Sequence, residues 1–398
     1  MSAKILHLSG DFPDPFDDSK TQVIRRLIDL TRQDFHHDFV SINRVSPGMR
    51  GAGRVLSAVL GASPPEVNSI PFGYGQALQY AAPARGLFHA AILHHLGDWL
   101  ADRIMQQGKP DLIVAHKLTI EGIAAFRTAQ RLGIPYAVTL QGNTDCRILA
   151  ARPDLRPELA RTWRSAGAVF AFAPWTVQAV QRRLGEAGGP IHIVPCPMSE
   201  SEATLAPMPD GRGFLSAFHL RSHRNKNLAG IAHAMRILRR EGRAISCTIA
   251  GGGSESDLRA CKTATRRAPD FDFPGHLEGD ALARRMNESI ALVLPSHRET
   301  FGLVFIEALF AGLPIIYPAG AAVDGYFPGR SFAIPVDAGS PRSISAAMRS
   351  AIDNERAIKA DLAEWQRSSD ARRFTRPAIA SAFADGLHAA LTTRGNQD

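Results

Sequence analysis

Two acidic side chains, Glu299 and Glu307, stand eight residues apart in the stretch SHRETFGLVFIEALFAGLP, with Gly302 between them. A carboxylate accepts hydrogen bonds from sugar hydroxyls and sits badly beside a phosphate, so such a pair suits the two sugars that flank a diphosphate. The amides around Phe301, Gly302 and Leu303 open a helical run, where they are unpaired within the helix and aligned with its dipole, and they suit the diphosphate itself. Cations to neutralise that diphosphate are present in the basic loop FHLRSHRNKNLAG, which precedes a second amphipathic run. The turn AGGGS, with Gly251, Gly252 and Gly253, follows an apolar run. Alone it is a weak Rossmann-like signal that ordinary turn glycines explain equally well, and Ser256 stands where a dinucleotide fold would place its third glycine.

These groups need rigid elements behind them. ALVLP reads as a buried strand, SHRETF as a loop and GLVFIEALFA as a helix closed by Gly312, with Pro314 preventing continuation before the strand PIIYP. Loop and helix start then lie at the carboxyl end of a parallel sheet, where α/β domains bind ligands. Short apolar runs alternate with amphipathic stretches through most of the chain, and 398 residues exceed what one core holds. The expected fold is therefore α/β, with two Rossmann-like domains on parallel sheets. The expected boundaries are 1–203, 204–375 and a terminal helix over 376–398, and CPMSESEATLAPMPDGRG serves as linker. Residues 47–108 do not fit the alternation; their Ala-, His- and Leu-rich half has helical spacing and reads as packing on its own domain or as an acceptor- or membrane-facing surface.

The whole string S-x-x-E-x-F-G-x-x-x-x-E-A-x-x-x-G-x-P resembles the donor signature of retaining glycosyltransferases, above all glycosyltransferase family 4 (group 1). The resemblance implies the GT-B fold, its two domains facing across a cleft. It puts Glu299 beside the transferred sugar and Glu307 on the ribose hydroxyls, with Thr300, Phe301, Gly302, Leu303, Gly251 and Gly253 lining the donor site. FHLRSHRNKN resembles the family's G-R-L-x-x-x-K-[GN] element, which assigns Arg221 and Lys226 to the diphosphate; Leu220 and Ser222 replace the usual Gly and Leu. In the first domain the family's Gly-Gly is replaced by about Ser19-Lys20, which would bring the Lys20 cation near the reacting centre beside the Gly10 loop. YAVTLQGNTD carries Gln141-Gly142 where many relatives end in His-Gly, and a glutamine can hold a hydroxyl but cannot act as a base. His116, at the end of DLIVAH, reads equally as a cleft residue or a core one. The tail, 376–398, would cross back to the first domain. The implied reaction moves a sugar, with retention, from a UDP- or GDP-type nucleotide sugar to a glycan or lipid-linked acceptor of the cell envelope, with no metal and no cofactor. The rivals are a non-catalytic sugar-nucleotide-binding scaffold subunit and a GT-B-fold epimerase or phosphorylase.

Bulk properties narrow the field further. The net charge of +8 is spread, residues 1–200 holding 21 Lys+Arg against 17 Asp+Glu and the remainder 25 against 21. Nucleic-acid binding needs a focused basic stripe with stacking aromatics, and aromatics make up 7% of the chain without that interleaving. A moderately basic face is compatible with peripheral contact to an anionic membrane. No apolar run reaches membrane-spanning length and the N-terminus has no signal-peptide pattern, so the expected location is cytoplasmic, at the inner face of the membrane where contact occurs. The scattered cysteines form no C-x-x-C pair and are expected to be reduced. Asp270-Phe271-Asp272 is formally a metal-binding D-x-D, and Ser19-Lys20-Thr21 formally the end of a P-loop. The first lies in a strand approach and the second lacks its glycines, so neither is expected to act that way.

Overall fold

The computed structural model describes residues 2–47, 53, 57, 59, 66–83, 86–198, 204–268 and 270–393. The chain divides into two compact units. The first comprises Met1–Phe172, Thr176–Cys196 and Arg376–Asp398, and the second Ala173–Trp175 and Pro197–Thr375.

In the first unit the described strands are β1 (Lys4–Ser9), β2 (His36–Val45), β3 (Val67–Phe72), β4 (Gly75–Ala81), β5 (Leu112–Ala115), β6 (Tyr136–Leu140), β7 (Ala168–Ala171) and β8 (Ile191–Ile193). Their order is β3-β4-β2-β1-β5-β6-β7-β8. The central strands are continuous apolar runs, LIVA in β5 and AVFA in β7, because helices cover both faces and no side chain can point to water. The helix His89–Gln107 buries Ile92, Leu93, Leu96, Leu100 and Ile104 in this unit's core, so the Ala/His/Leu-rich stretch packs on its own domain. Gly97 permits the close crossing: a Cβ there would lie 2.7 Å from the Ala124 carbonyl oxygen. The helix Arg376–Thr392 packs against β6, β7 and β8.

One strand departs from the all-parallel expectation. β3 runs antiparallel to β4 across the Gly73-Tyr74 turn, so the sheet is mixed at that edge. Pro71 is tolerated there because an edge strand leaves one row of amides unpaired. The rest of the anomalous segment, 48–52, 54–56, 58, 60–65 and 84–85, lies outside the described residues, as do 199–203 of the expected linker. The remainder of that linker is tied into the second unit, where the Leu205 amide donates to the Phe310 oxygen and the Gly211 amide to Glu355.

The second unit carries β9 (Phe214–Ala217), β10 (Cys247–Ala250), β11 (Phe271–Gly275), β12 (Leu292–Val293), β13 (Ile315–Pro318) and β14 (Ala333–Val336) in the order β11-β10-β9-β12-β13-β14, all parallel among the described pairs. Numbered within the unit this is 3-2-1-4-5-6, the doubly wound nucleotide-binding order. Its switch point, where the winding reverses, lies between β9 and β12. In the first unit the switch point lies between β1 and β5. Ligands of such sheets bind beyond the carboxyl ends of the strands at these places.

Candidate functional site

At the switch point of the second unit, β9 opens into the basic loop and β12 into the glutamate loop. The two loops are joined by hydrogen bonds: the His297 amide donates to the Asn225 backbone oxygen at 2.8 Å and the Asn225 side-chain Nδ2 donates to the Arg298 oxygen at 3.0 Å. This brings Lys226 Nζ to 2.5 Å from Glu299 Oε2, and Ser296 Oγ donates to the same carboxylate. Asn227, at φ 59°, caps the following helix, Leu228–Arg240, by accepting from the Gly230 amide. That cap fixes where Lys226 leaves the loop.

Gly302, at φ 73°, starts the helix Leu303–Phe310, which ends as the sequence implies. The Gly312 amide donates to the Leu309 oxygen and the Leu313 amide to the Ala308 oxygen, the double bond of a Schellman end. Phe301 is buried edge-on to Tyr326 and anchors the loop. Glu307 faces a cavity of about 550 Å³ lined also by Ala217, His219, Gly251, Gly252, His276 and Val304. Gly251 is required by close approach, since a Cβ there would fall 1.8 Å from the Phe218 oxygen. Glu299, Lys226, Thr300 and Gly253 lie outside this lining. The guanidinium of Arg221 is exposed and makes no ion pair among the described residues. His219 and His276 were not singled out from sequence; His219 lies two residues after β9 and His276 directly follows β11, and that place at a strand end is the signal that could have found them. Asp270 and Asp272 pair with different arginines, Arg239 and Arg285, and no cluster of three metal-ligating side chains exists among the described residues.

The first unit has its own cavity at its switch point, about 530 Å³, lined by Gly10 and Asp11 after β1, Arg44 of β2, Lys117 after β5 and Glu121 at the start of a helix, Glu121–Leu132. Arg147 and Arg152, from the region of the helix Asn143–Ala151, complete it with Tyr80 and His89. Lys117 Nζ pairs with Asp11 at 2.6 Å, and the Gly10 amide donates to Glu121 Oε1 at 2.6 Å. Glu121 Oε2 is buried without a partner. Burial pushes the Glu121 carboxyl up to about 7, against the pull of Lys117, and pushes Asp145 up to about 6 although Thr119 donates to it twice. Lys117 is desolvated as well, but Glu121 and Asp11 outweigh that and raise it.

Of the residues expected to reach the first-domain site, Gly10 lines this cavity. His116 does not: it is buried in the core, where His7 bridges it at 3.0 Å and His37 at 2.8 Å. Burial, first of all, holds all three imidazoles well below their usual range, His37 to about 4 and His116 to about 3. Lys20 is likewise engaged elsewhere, hydrogen-bonded to Asp14 at 2.7 Å and Asn43 at 2.6 Å. Asp14 is desolvated, yet donors on Lys20, Ser41 and Asn43 bring it down to about 2. Gln141 follows β6 with its Nε2 buried and unpartnered, and Gly142, at φ 127°, caps the next helix. Neither lines the cavity.

Two doubly wound units, each with a ligand-sized cavity at its switch point, define a GT-B-type protein. Over 97% of its length the chain superposes on the sucrose-phosphate synthase from Thermosynechococcus elongatus (98% of that chain, TM-score 0.67, 16% identity). A model of the glycosyl transferases group 1 matches residues 210–368, and a model of the glycosyl transferase 4-like domain matches residues 24–197. The chain belongs to the group 1 glycosyltransferases. It is 37% identical over 133 residues to the glycogen synthase of Mycobacterium tuberculosis strain H37Rv, covering 32% of this chain and 31% of that one. It is 24% identical over 251 residues to the 2-deoxystreptamine glucosyltransferase of Streptomyces kanamyceticus, covering 56% and 63%. The match thus spans about a third of the first relative and less than two thirds of the second.

Proposed function

We propose that this protein transfers a sugar from a nucleoside-diphosphate sugar to a hydroxyl acceptor with retention at the anomeric carbon, without a metal ion. The observation that carries the reading is the pairing of Lys226 with Glu299 beside the Gly302 helix start, next to a cavity floored by Glu307. In the proposed chemistry the bond from the sugar to the diphosphate breaks, the acceptor oxygen bonds the same carbon from the leaving-group face, and its proton passes to the departing phosphate. Charge grows on the diphosphate. Lys226, Arg221 and the amides at the start of Leu303–Phe310 would meet it, which is where fixed electrostatics lowers a barrier. Glu299 would hold the moving sugar and Glu307 the ribose. In this reading Lys226, Arg221 and the helix-start amides would share the diphosphate charge without a divalent ion, and Asp270 and Asp272 are each paired with an arginine.

We read the acceptor as a glycan or lipid-linked glycan of the cell envelope, made at the cytoplasmic face. No helix among the described residues is long and apolar enough to cross a membrane. The test is turnover of a panel of UDP- and GDP-sugars by the wild type, Glu299→Ala and Lys226→Ala. Release of nucleoside diphosphate by the wild type and its loss in both variants, with folding intact, supports the reading. Binding without turnover would establish a scaffold instead, and near-normal rates in both variants would overturn the assignment.

A further inference from the structure

The cavity of the first unit is chemically lopsided. One wall is apolar, from Ile42, Ile120, Ile148 and Leu155, and the rim carries Arg44, Arg147 and Arg152. A guanidinium has five donors. Arg147 spends none on a side-chain partner among the described residues, Arg44 spends one on the Pro83 oxygen, and Arg152 spends three, on Gly86 and Asp154. Arg44 and Arg152 are both near enough to His89 to oppose its protonation, which burial already disfavours. Because His89 Nε2 bonds the Thr119 oxygen, that nitrogen carries the proton of a neutral ring. The deep end is different: Lys117 is neutralised by Asp11, the Glu121 Oε2 is buried and unpartnered, and the Tyr80 hydroxyl makes no hydrogen bond among the described residues. Asp154 offsets part of the Arg152 charge. The remainder is unbalanced positive charge around a concave site.

We propose that this cavity binds the acceptor by an anionic group, a phosphate or carboxylate seated among Arg44, Arg147 and Arg152, with ligand hydroxyls meeting Tyr80 and Glu121. Calling the ligand an acceptor rests on the transferase reading; the charge of the ligand does not. Three sources share the chemistry: a sugar phosphate, a uronic acid and a lipid diphosphate. Leu87 and Phe88, exposed beside Gly86 at the rim, make the last worth an arm of its own.

The test is calorimetric titration of the full chain with glucose, glucose 6-phosphate, glucuronate and farnesyl diphosphate. At least one anionic ligand should bind about tenfold or more tighter than glucose, weakening with added salt, and the tightest identifies the source. Arg147→Glu and Arg44→Glu should each weaken that ligand by about tenfold or more while leaving nucleoside-diphosphate binding unchanged. Arg147 is exposed and holds no side-chain partner among the described residues, so its replacement should leave the fold intact. If no anionic ligand outbinds glucose, or if both variants bind it as the wild type does, the proposal is overturned. If the arginine-dependent binding holds but no nucleotide sugar is turned over, the transferase reading falls and the anion site stands. Turnover with neutral acceptors alone gives the reverse.

Discussion

Replacing Glu121 by Gln should make the stability difference between variant and wild type depend on pH. Glu121 is fully buried, its Oε1 accepts the Gly10 amide, and its Oε2 has no partner. Desolvation raises its carboxyl from 4.5 to about 7. A carboxyl raised in the fold adds stability that is complete below the unfolded value and lost as pH rises through the folded one. At pH 8 the group is ionised in both states. At pH 5 it is largely ionised in the unfolded chain and protonated in the fold, a difference of about two pH units, or about 2 to 3 kcal/mol. Glutamine keeps the acceptor for Gly10 but has no proton to exchange. Glu121→Gln should therefore gain about 2 to 3 kcal/mol relative to wild type between pH 5 and pH 8. Asp145 and the buried histidines titrate alike in both proteins and cancel in the comparison. Urea unfolding at the two pH values measures it. An equal difference at pH 5 and pH 8 would show that the carboxyl is not desolvated in the fold and would refute the reasoning.

The histidine chain predicts the opposite sign. Imidazoles held low in the fold stabilise above pH 6.5 and lose that contribution as pH falls from 6.5 towards 4, so His116→Leu should reduce the wild type's loss between pH 7 and pH 5 by about 2 kcal/mol, read from urea midpoints. Gly251→Ala should disrupt the turn behind Glu307 and abolish nucleoside-diphosphate binding in a thermal-shift assay, because its Cβ would collide with the Phe218 oxygen. Gly252→Ala, whose Cβ would meet nothing closer than His276 Cβ at 3.8 Å, should leave that binding within about threefold. Equal effects of the two glycine changes would mean that close backbone approach is not what the turn needs.

The second unit was largely legible in the sequence because its chemistry is local. Glu299, Gly302 and Glu307 sit within one strand-loop-helix-strand unit, whose apolar runs and terminal glycine specify their own conformation. The first unit was not. β3 and β4 escaped because a short hairpin with a proline in its edge strand carries little periodic signal, and the helix Asn143–Ala151 because it lacks a side-chain cap and strong apolar spacing. His116 at a strand end could have faced either way.

The sequence by itself determined the α/β class, the two series of strands, and the strand-loop-helix-strand unit that carries Glu299 and Glu307. Only the tertiary structure decided that Lys226 meets Glu299 across 73 residues, that His116 and Lys20 belong to internal networks, and that Gly10, Arg44, Lys117, Glu121 and Arg147 share one cavity. The reason is the winding of the sheet. β1 and β5 are neighbours although 102 residues separate Ser9 from the start of β5 at position 112, and strand order is set by burying apolar faces together rather than by any local pattern of residues.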